Sequence, residues 1–423
     1  MSKPYVTLLG KAVRYVAKLR GGGSALPGLF VERIDPQFIK RTLADLEYGV
    51  IVISGTNGKT TTTKMVVELL EGQGLKVFTN RTGSNFTRGV AASLLGEVTM
   101  SGKLTADIAV LELDEAHAVH FVDSIPPRYS LLLNVMRDQL DRFGEIDATA
   151  QLLAHIAKAT TGSVVLNRED PRVASIADQL TSQKVSFFGL DQELRHLFPN
   201  DDELHEEKAT YPVNTRAAVT LDTLDGHTAS FSIGTKKVTT KLKLQGIYNV
   251  YNAAAALALV QEVLGSAIDY DTLGNSLANV APAFGRGETI TIGGQPLELV
   301  LVKNPSGFRL GLSSFDPEGY ATMIAINDNY ADGRDMSWLW DVDFQSLQPG
   351  GVSVVSGIRA YDMGLRLQYD EIEATHIEPI IDVALHYFIT HFSEQPKRIY
   401  CTYTAMLSLR RELGKMTAVE VIS

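Results

Sequence analysis

Residues 50–62 constrain the fold more than any other part of this chain. Val50-Ile51-Val52-Ile53 is a β-branched run without a polar break. Such a run is expected of a strand buried on both faces, as in parallel sheets. Ser54-Gly55-Thr56-Asn57-Gly58-Lys59-Thr60-Thr61-Thr62 follows, then a helical stretch to Leu70 that Gly72 and Gly74 end. A glycine turn between a buried strand and a helix lets backbone N–H groups approach an anion. The helix N-terminus adds positive potential. Gly55, Thr56, Asn57, Gly58, Lys59, Thr60 and Thr61 are therefore the candidate nucleotide-binding residues. Lys59 is placed to reach the β- and γ-phosphates, and the Thr60 hydroxyl to bind Mg²⁺. The full G-x-x-x-x-G-K-[ST] pattern needs glycine where Ile53 stands, so the loop is a G-T-N-G-K-T variant.

More short apolar runs follow: Val77-Phe78, residues 108–113, Leu131-Leu132-Leu133 and Val164-Val165-Leu166. Helical stretches separate several of them, which predicts a mostly parallel sheet covered by helices. Residues 190–245 are more polar. Segments 219–221, 229–233 and 238–244 read as inserted antiparallel strands, and the acids of residues 200–207 as a solvated loop. Residues 249–264 form an alanine-rich helix. Beyond Gly287 a second α/β pattern begins, with strands at 297–302, 323–326 and 352–355 and helices at 379–392 and 405–413. The expected division is an N-terminal accessory segment (1–48), a central ATP-binding domain (49–287) and a C-terminal α/β domain (288–423). In the accessory segment Leu8, Leu9, Ala12, Val13 and Tyr15 have rough helical spacing between basic residues. That predicts an amphipathic helix packed on the body, with a membrane-surface helix as the alternative. Gly21-Gly22-Gly23-Ser24 reads as a joint.

Composition removes several functions. The chain has 39 basic and 49 acidic residues, a net charge of −10. That is unsuited to general nucleic-acid binding, though a local phosphate pocket remains compatible. A single cysteine, Cys401, excludes an internal disulfide framework and a multi-cysteine zinc site. No signal-peptide core and no 18-residue apolar span is expected, so a cytoplasmic location is.

Beyond these readings the chain resembles the Mur ligase superfamily. Gly55-Thr56-Asn57-Gly58-Lys59-Thr60-Thr61 is similar to that superfamily's ATP loop. Glu112, ending an apolar strand, resembles its magnesium-binding glutamate. Residues 134–142 (N-V-M-R-D-Q-L-D-R) resemble N-V-x-x-D-H-x-D-R, and Asn167-Arg168-Glu169-Asp170 resembles N-x-D-D. Residues 246–252 resemble G-x-H-N-x-x-N, which adds Asn249 and Asn252 to the nucleotide-binding candidates. Gly285-Arg286-Gly287-Glu288 resembles G-R-x-E, which adds Arg286. The resemblance implies an α/β fold: a Mur-ligase-like central P-loop ATPase domain with a parallel sheet, plus a C-terminal Rossmann-like α/β domain. It implies ATP and Mg²⁺, the ion on Thr60 and Glu112.

Three positions depart from the amino-acid ligases. Gln139 and Tyr248 stand where they have histidine, and the position of their carbamylated lysine falls near Ala154, with Lys158 a turn away. These departures, with residues 301–307 (L-V-K-N-P-S-G) and 327–341 (N-D-N-Y-A-D-G-R-D-M-S-W-L-W-D), resemble the synthetase-subunit family of lipid II isoglutaminyl synthase. Some members carry a four-cysteine zinc ribbon. This chain has no cysteine there, and His196, His205 and His227 are expected at the surface, so no zinc is expected. The resemblance implies ATP-dependent amidation of the D-glutamate α-carboxylate of lipid II to D-isoglutamine through an acyl phosphate. It implies action at the inner membrane face through that substrate, and ammonia from a GatD-like glutaminase partner docking on residues 288–423. Lys59 and Asp335 are the implied catalytic residues, Asp335 orienting the partner's histidine. Cys401, in an apolar strand without a nearby histidine, is expected in the core. An ATP-dependent amino acid ligase and a catalytically silent scaffold remain the alternatives.

Overall fold

A computed structural model describes residues 4–19, 26–80, 86–136, 146–198, 216–226, 228–244, 246–281 and 286–417; for residues 4, 16–19 and 286–288 it describes the backbone alone. The 21–24 joint, the 200–207 acids, His205, His227, residues 137–142 with Gln139, and Gly285 lie outside the described residues. The chain divides into two compact units. The first comprises Met1–Val135, Asp147–Lys243 and Asn249–Val280. The second comprises Met136–Ile146, Leu244–Tyr248 and Ala281–Ser423.

The first unit opens with helices α1 (Pro4–Leu19), α2 (Leu26–Ile34) and α3 (Phe38–Leu43). Then β1 (Gly49–Ser54), α4 (Lys59–Gly72), β2 (Val77–Thr79), α5 (Thr87–Glu97), β3 (Ile108–Glu112), α6 (Glu115–Ser124) and β4 (Tyr129–Leu132) alternate. α7 (Ile146–Ala159), β5 (Ser163–Asn167), the short α8 (Pro171–Ala174) and β6 (Lys184–Leu190) continue the pattern. β7 (Val219–Asp225), β8 (Thr228–Ile233) and β9 (Lys236–Lys241) precede helices α9 (Ile247–Leu264) and α10 (Tyr270–Asn279). One sheet results, ordered β2-β3-β1-β4-β5-β6-β7-β8-β9. It is parallel through β7, and β8 and β9 fold back antiparallel. The polar strands at 219–241 thus extend the central sheet itself. β1, β3, β4 and β5 are buried almost throughout, which explains why they show as continuous apolar runs.

The second unit holds β10 (Arg286–Ile292), β11 (Gln295–Leu301), α11 (Pro305–Ser314), β12 (Ala321–Ala325), β13 (Val352–Ser356), α12 (Ala360–Tyr369), β14 (Ala374–Glu378), α13 (Ile381–His391), β15 (Lys397–Cys401) and α14 (Tyr403–Leu413). Its sheet runs β10-β11-β15-β12-β13-β14, parallel except for the β10–β11 hairpin. Strand alternation fills two cores. Val300, Ile324, Val355 and Tyr400 enter one; Leu299, Met323, Val354, Ile399 and Cys401 enter the other.

The N-terminal helix forms, but it buries a different face from the one its apolar residues suggest. Val6, Thr7 and Gly10 are buried, while Leu8, Leu9 and Tyr15 are exposed. Close approach decides the face. A Cβ on Gly10 would lie 2.7 Å from both Val31 Cγ2 and Leu95 Cδ2. Lys11 Nζ also donates to the Val98 carbonyl beyond the end of α5, at 2.6 Å. A second departure concerns α9. With the turn after it, residues Ile247–Ala267 are long and apolar enough to cross a membrane, though 61% of the apolar window is buried inside the fold. Alanine-rich core packing accounts for that composition.

Gly28 of α2 lies against the backbone of α5, where a Cβ would come 1.9 Å from the Arg88 carbonyl oxygen. Gly28→Ala is expected to lower stability by about 1–3 kcal/mol through this overlap, read as a lower urea midpoint with an unchanged m-value.

Candidate active site

β1 runs between β3 and β4, where the direction of chain progression across the sheet reverses. In open α/β sheets ligands bind at this point, outside the carboxyl ends of the strands. Three bonds set those ends: Leu113 N–H donates to the Ile53 carbonyl (3.1 Å), Leu133 N–H to the Ser54 carbonyl (3.0 Å), and Ser54 Oγ to the Leu113 carbonyl (3.0 Å). The loop between β1 and α4 leaves from there. Gly55 (φ +133°) and Gly58 (φ +88°) occupy the region that favours glycine. Space is tight as well: a Cβ on Gly58 would lie 2.7 Å from Asn252 Oδ1.

Asn134 holds the loop. Its Oδ1 accepts from Asn57 N–H (2.8 Å), its Nδ2 donates to the Asn57 carbonyl (3.0 Å), and its own carbonyl accepts from Thr56 N–H (3.0 Å). Lys59 Nζ donates to the carbonyls of Gly55 (2.5 Å) and Thr56 (3.3 Å) and pairs with Glu115 Oε1 (3.2 Å). Thr60 Oγ1 donates to Glu112 Oε1 at 2.8 Å. Glu112 is in turn held through its backbone by Asn80, whose Nδ2 donates to its carbonyl (2.8 Å) and whose Oδ1 accepts from its N–H (3.0 Å). Thr60 and Glu112 together offer a hydroxyl and a carboxylate, hard oxygen donors of the kind Mg²⁺ takes alongside phosphate and water. Among the described residues no group of three or more His, Cys, Asp or Glu could hold a metal.

The structure thus brings Gly55–Thr61, Glu112 and Asn252 together. Asn249 lies one turn before Asn252 in α9, half-buried. Arg286 begins β10 in the other unit, and its side chain is outside the described residues. Sequence reasoning missed Asn80, Glu115 and the clamping role of Asn134. Glu115 had a signal, a second glutamate three residues after Glu112 in the first turn of α6. Asn80 had none, because its role depends on β2 and β3 being neighbours.

Asn167-Arg168-Glu169-Asp170 braces this region from behind. Asp170 accepts from the N–H groups of Val135 (2.7 Å), Arg172 (3.0 Å) and Val173 (3.0 Å). Burial pushes its carboxyl up to about 6, against the pull of those donors. Asn167 Nδ2 donates to the Leu133 carbonyl (2.8 Å), and Tyr251 OH donates to Asn167 Oδ1. Ala154 is buried in α7, whereas Lys158 is exposed. His196 is exposed.

In the second unit the loop after β12 meets the first turn of α14. The Thr404 hydroxyl accepts from Asn327 Nδ2 (3.0 Å) and Asn329 Nδ2 (2.8 Å) and donates to Asp332 Oδ2 (2.5 Å). Thr404 N–H donates to Asp332 Oδ1 (2.7 Å). Two acceptances and one donation use the hydroxyl's full capacity. Burial raises the Asp332 carboxyl above the ordinary range, with the Thr404 bonds opposing it. Gly333 (φ +89°) then turns the chain toward Asp335. Asp335 is half-buried, and its Oδ1 accepts from Ser337 N–H (2.9 Å). Trp338 is buried against Phe308, while Trp340 is half exposed and meets Tyr369 edge-on. Cys401 is fully buried, and burial pushes its thiol far up.

A parallel sheet ending in this phosphate-type loop defines the class of protein. Residues 53–260 match the family profile described as Mur ligase middle domain. The fold is similar to that of MurF from Acinetobacter baumannii, with TM-score 0.68 and 18% identity over 91% of this chain and 81% of that one. The chain therefore has the Mur ligase fold. Residues 301–406 match the profile described as MurT ligase C-terminal. A lipid II isoglutaminyl synthase (glutamine-hydrolyzing) subunit MurT from Streptococcus pneumoniae is 31% identical over 97% of both chains. One from Staphylococcus aureus is 29% identical over 86% of both. The chain belongs to the MurT family.

Thr404→Val should cost about 1–3 kcal/mol, because Asp332, Asn327 and Asn329 all lose a partner. Thr404→Ser should restore most of that loss in urea denaturation; equal losses in both variants would show that the hydroxyl is not what matters.

Proposed function

We propose that this chain is the ATP-using subunit of a lipid II isoglutaminyl synthase in peptidoglycan synthesis. It would convert the D-glutamate α-carboxylate of lipid II to the D-isoglutamine amide. The observation that carries the reading is the Gly55–Thr61 loop with Thr60 against Glu112, on a chain that a relative named MurT matches over 97% of its length. The reaction consumes ATP in two steps. A carboxylate oxygen attacks the γ-phosphorus, and ADP leaves. Ammonia then attacks the acyl carbon, the C–O bond to phosphate breaks with its electron pair leaving on phosphate, and the nitrogen gives up one proton to the departing phosphate or to solvent.

The roles of the residues follow from their chemistry. Loop N–H groups and Lys59 neutralise charge on the transferring phosphoryl group. Asn249, Asn252 and Arg286 bind the nucleotide. Mg²⁺ would be held by Thr60 and Glu112 and supplies further neutralisation on the phosphates when bound. Glu115 orients Lys59 from behind.

Ammonia requires a second protein. Glutamine hydrolysis needs a reactive thiolate, and Cys401 is buried in the core with its thiol pushed far up. A GatD-like glutaminase fits that need. The second unit presents Asp335 on a clamped loop, half-buried with one oxygen on Ser337 N–H, to orient the partner's histidine in a Cys-His-Asp arrangement. The work takes place at the cytoplasmic face of the membrane, where lipid II supplies the carboxylate.

Purified with its glutaminase, the protein should convert lipid II glutamate to isoglutamine with glutamine and ATP, read by mass spectrometry. Lys59→Ala is expected to lower ATP turnover by about 100-fold or more with either glutamine or ammonia. ATP turnover stimulated by a free amino acid instead would favour an amino acid ligase. Asp335→Asn is expected to abolish glutamine-driven amidation and leave ammonia-driven amidation intact. Equal activity with both nitrogen sources would remove Asp335 from this role.

A further inference from the structure

Helices α1 and α2 carry apolar side chains on the side away from the body. Tyr5, Leu8 and Leu9 of α1 stand at i, i+3 and i+4. Leu26, Phe30 and Ile34 of α2 stand at i, i+4 and i+8. All six are between 36% and 59% exposed. The two helices meet at the close Gly10–Val31 contact. Packing on the body is already satisfied by Val6, Gly10, Gly28 and Val31, which are buried. Two helices therefore present apolar residues at helical spacing to solvent, a cost that a soluble surface does not ordinarily carry.

Charge selects what covers this face. Residues 1–41 contain eight lysines and arginines and two acids, within a chain whose net charge is −10. Both acids are paired: Asp35 with Arg41 at 2.5 Å, and Glu32 with Arg88 at 3.5 Å. Lys11 and Arg14 lie toward the end of α5, where backbone carbonyls temper a full charge without cancelling it. A second copy meeting the same face would place basic segment against basic segment. An apolar face set in a basic segment of an acidic protein matches an interfacial amphipathic helix on anionic lipid.

We propose that the outer face of α1 and α2 docks on an anionic membrane surface. The apolar residues enter the headgroup boundary, and the net positive charge of residues 1–41 favours an anionic surface. This does not rest on the assigned reaction.

The test uses the full chain with its partner and vesicles free of lipid II, so the result is independent of the substrate. Flotation is measured with phosphatidylglycerol–phosphatidylcholine vesicles and with phosphatidylcholine alone, over a salt series. Binding at least about tenfold stronger to the anionic vesicles and weakened by salt is expected. Leu8→Gln with Phe30→Gln should lower it about tenfold with an unchanged melting temperature. Hydrogen exchange should show vesicle-dependent protection of residues 4–34 in the unsubstituted protein. No flotation, or flotation that the substitutions leave unchanged, overturns the proposal. Vesicle-independent protection of residues 4–34 by the glutaminase, or a dimer that the substitutions dissolve, overturns it too and assigns the face to that protein.

Discussion

The contact on which the nucleotide end of this protein depends is made by one amide side chain. Asn134, just past β4, exchanges two hydrogen bonds with the backbone of Asn57 and receives a third from Thr56 on its own carbonyl. A loop with two glycines at positive φ has little conformational preference of its own. Asn134 supplies the missing constraint from a neighbouring strand, and Asp170 and Asn167 fix the chain on either side of Asn134 through Val135 N–H and the Leu133 carbonyl. The motif residues of three separate segments thus form one bracing system. Its purpose is geometric: backbone N–H groups attract an anion only if they converge.

The lysine in this loop is not a free charge. Glu115 is buried, and its carboxylate lies 3.2 Å from Lys59 Nζ. Leaving either group without the other would strand a charge at low dielectric, typically a penalty of about 3–5 kcal/mol. The pair therefore allows a lysine to stand in a half-buried loop. It also ties α6 to α4, so the helices after β1 and β3 are joined by charge as well as by packing.

Much of this was legible before any coordinates. β1, β3, β4 and β5 showed as apolar runs because both their faces are covered. Gly58-Lys59-Thr60 showed because strand, turn and helix follow without interruption. What stayed hidden depends on neighbours distant in sequence. β14 is an edge strand of mixed burial, Ala-Thr-His-Ile-Glu, without an apolar run. α12 contains Gly364, which looks like a break in sequence yet sits within the helix, where a Cβ would lie 2.7 Å from the Ile377 Cδ1 methyl. The face of α1 was misjudged for a similar reason. Counting apolar residues ignores that a glycine can select the buried side by allowing close approach.

The C-terminal loop shows the same logic applied to polar groups. Of its aspartates, Asp332 is buried and consumed by Thr404, whereas Asp335 is three residues further on and half-exposed. The left-handed turn at Gly333 separates the two. One carboxylate fixes the loop, and the other stays half-exposed. Cys401 lies at the end of β15, which precedes α14, yet alternation sends its sulfur into the core beside Ile399 and Leu299. A one-residue slip of this strand, which is paired on both sides, would only send the sulfur into the other core beside Val300 and Ile324. The fold therefore leaves a half-exposed carboxylate at this sheet end and keeps its single thiol buried. Any thiolate chemistry coupled to this chain has to be brought by another protein.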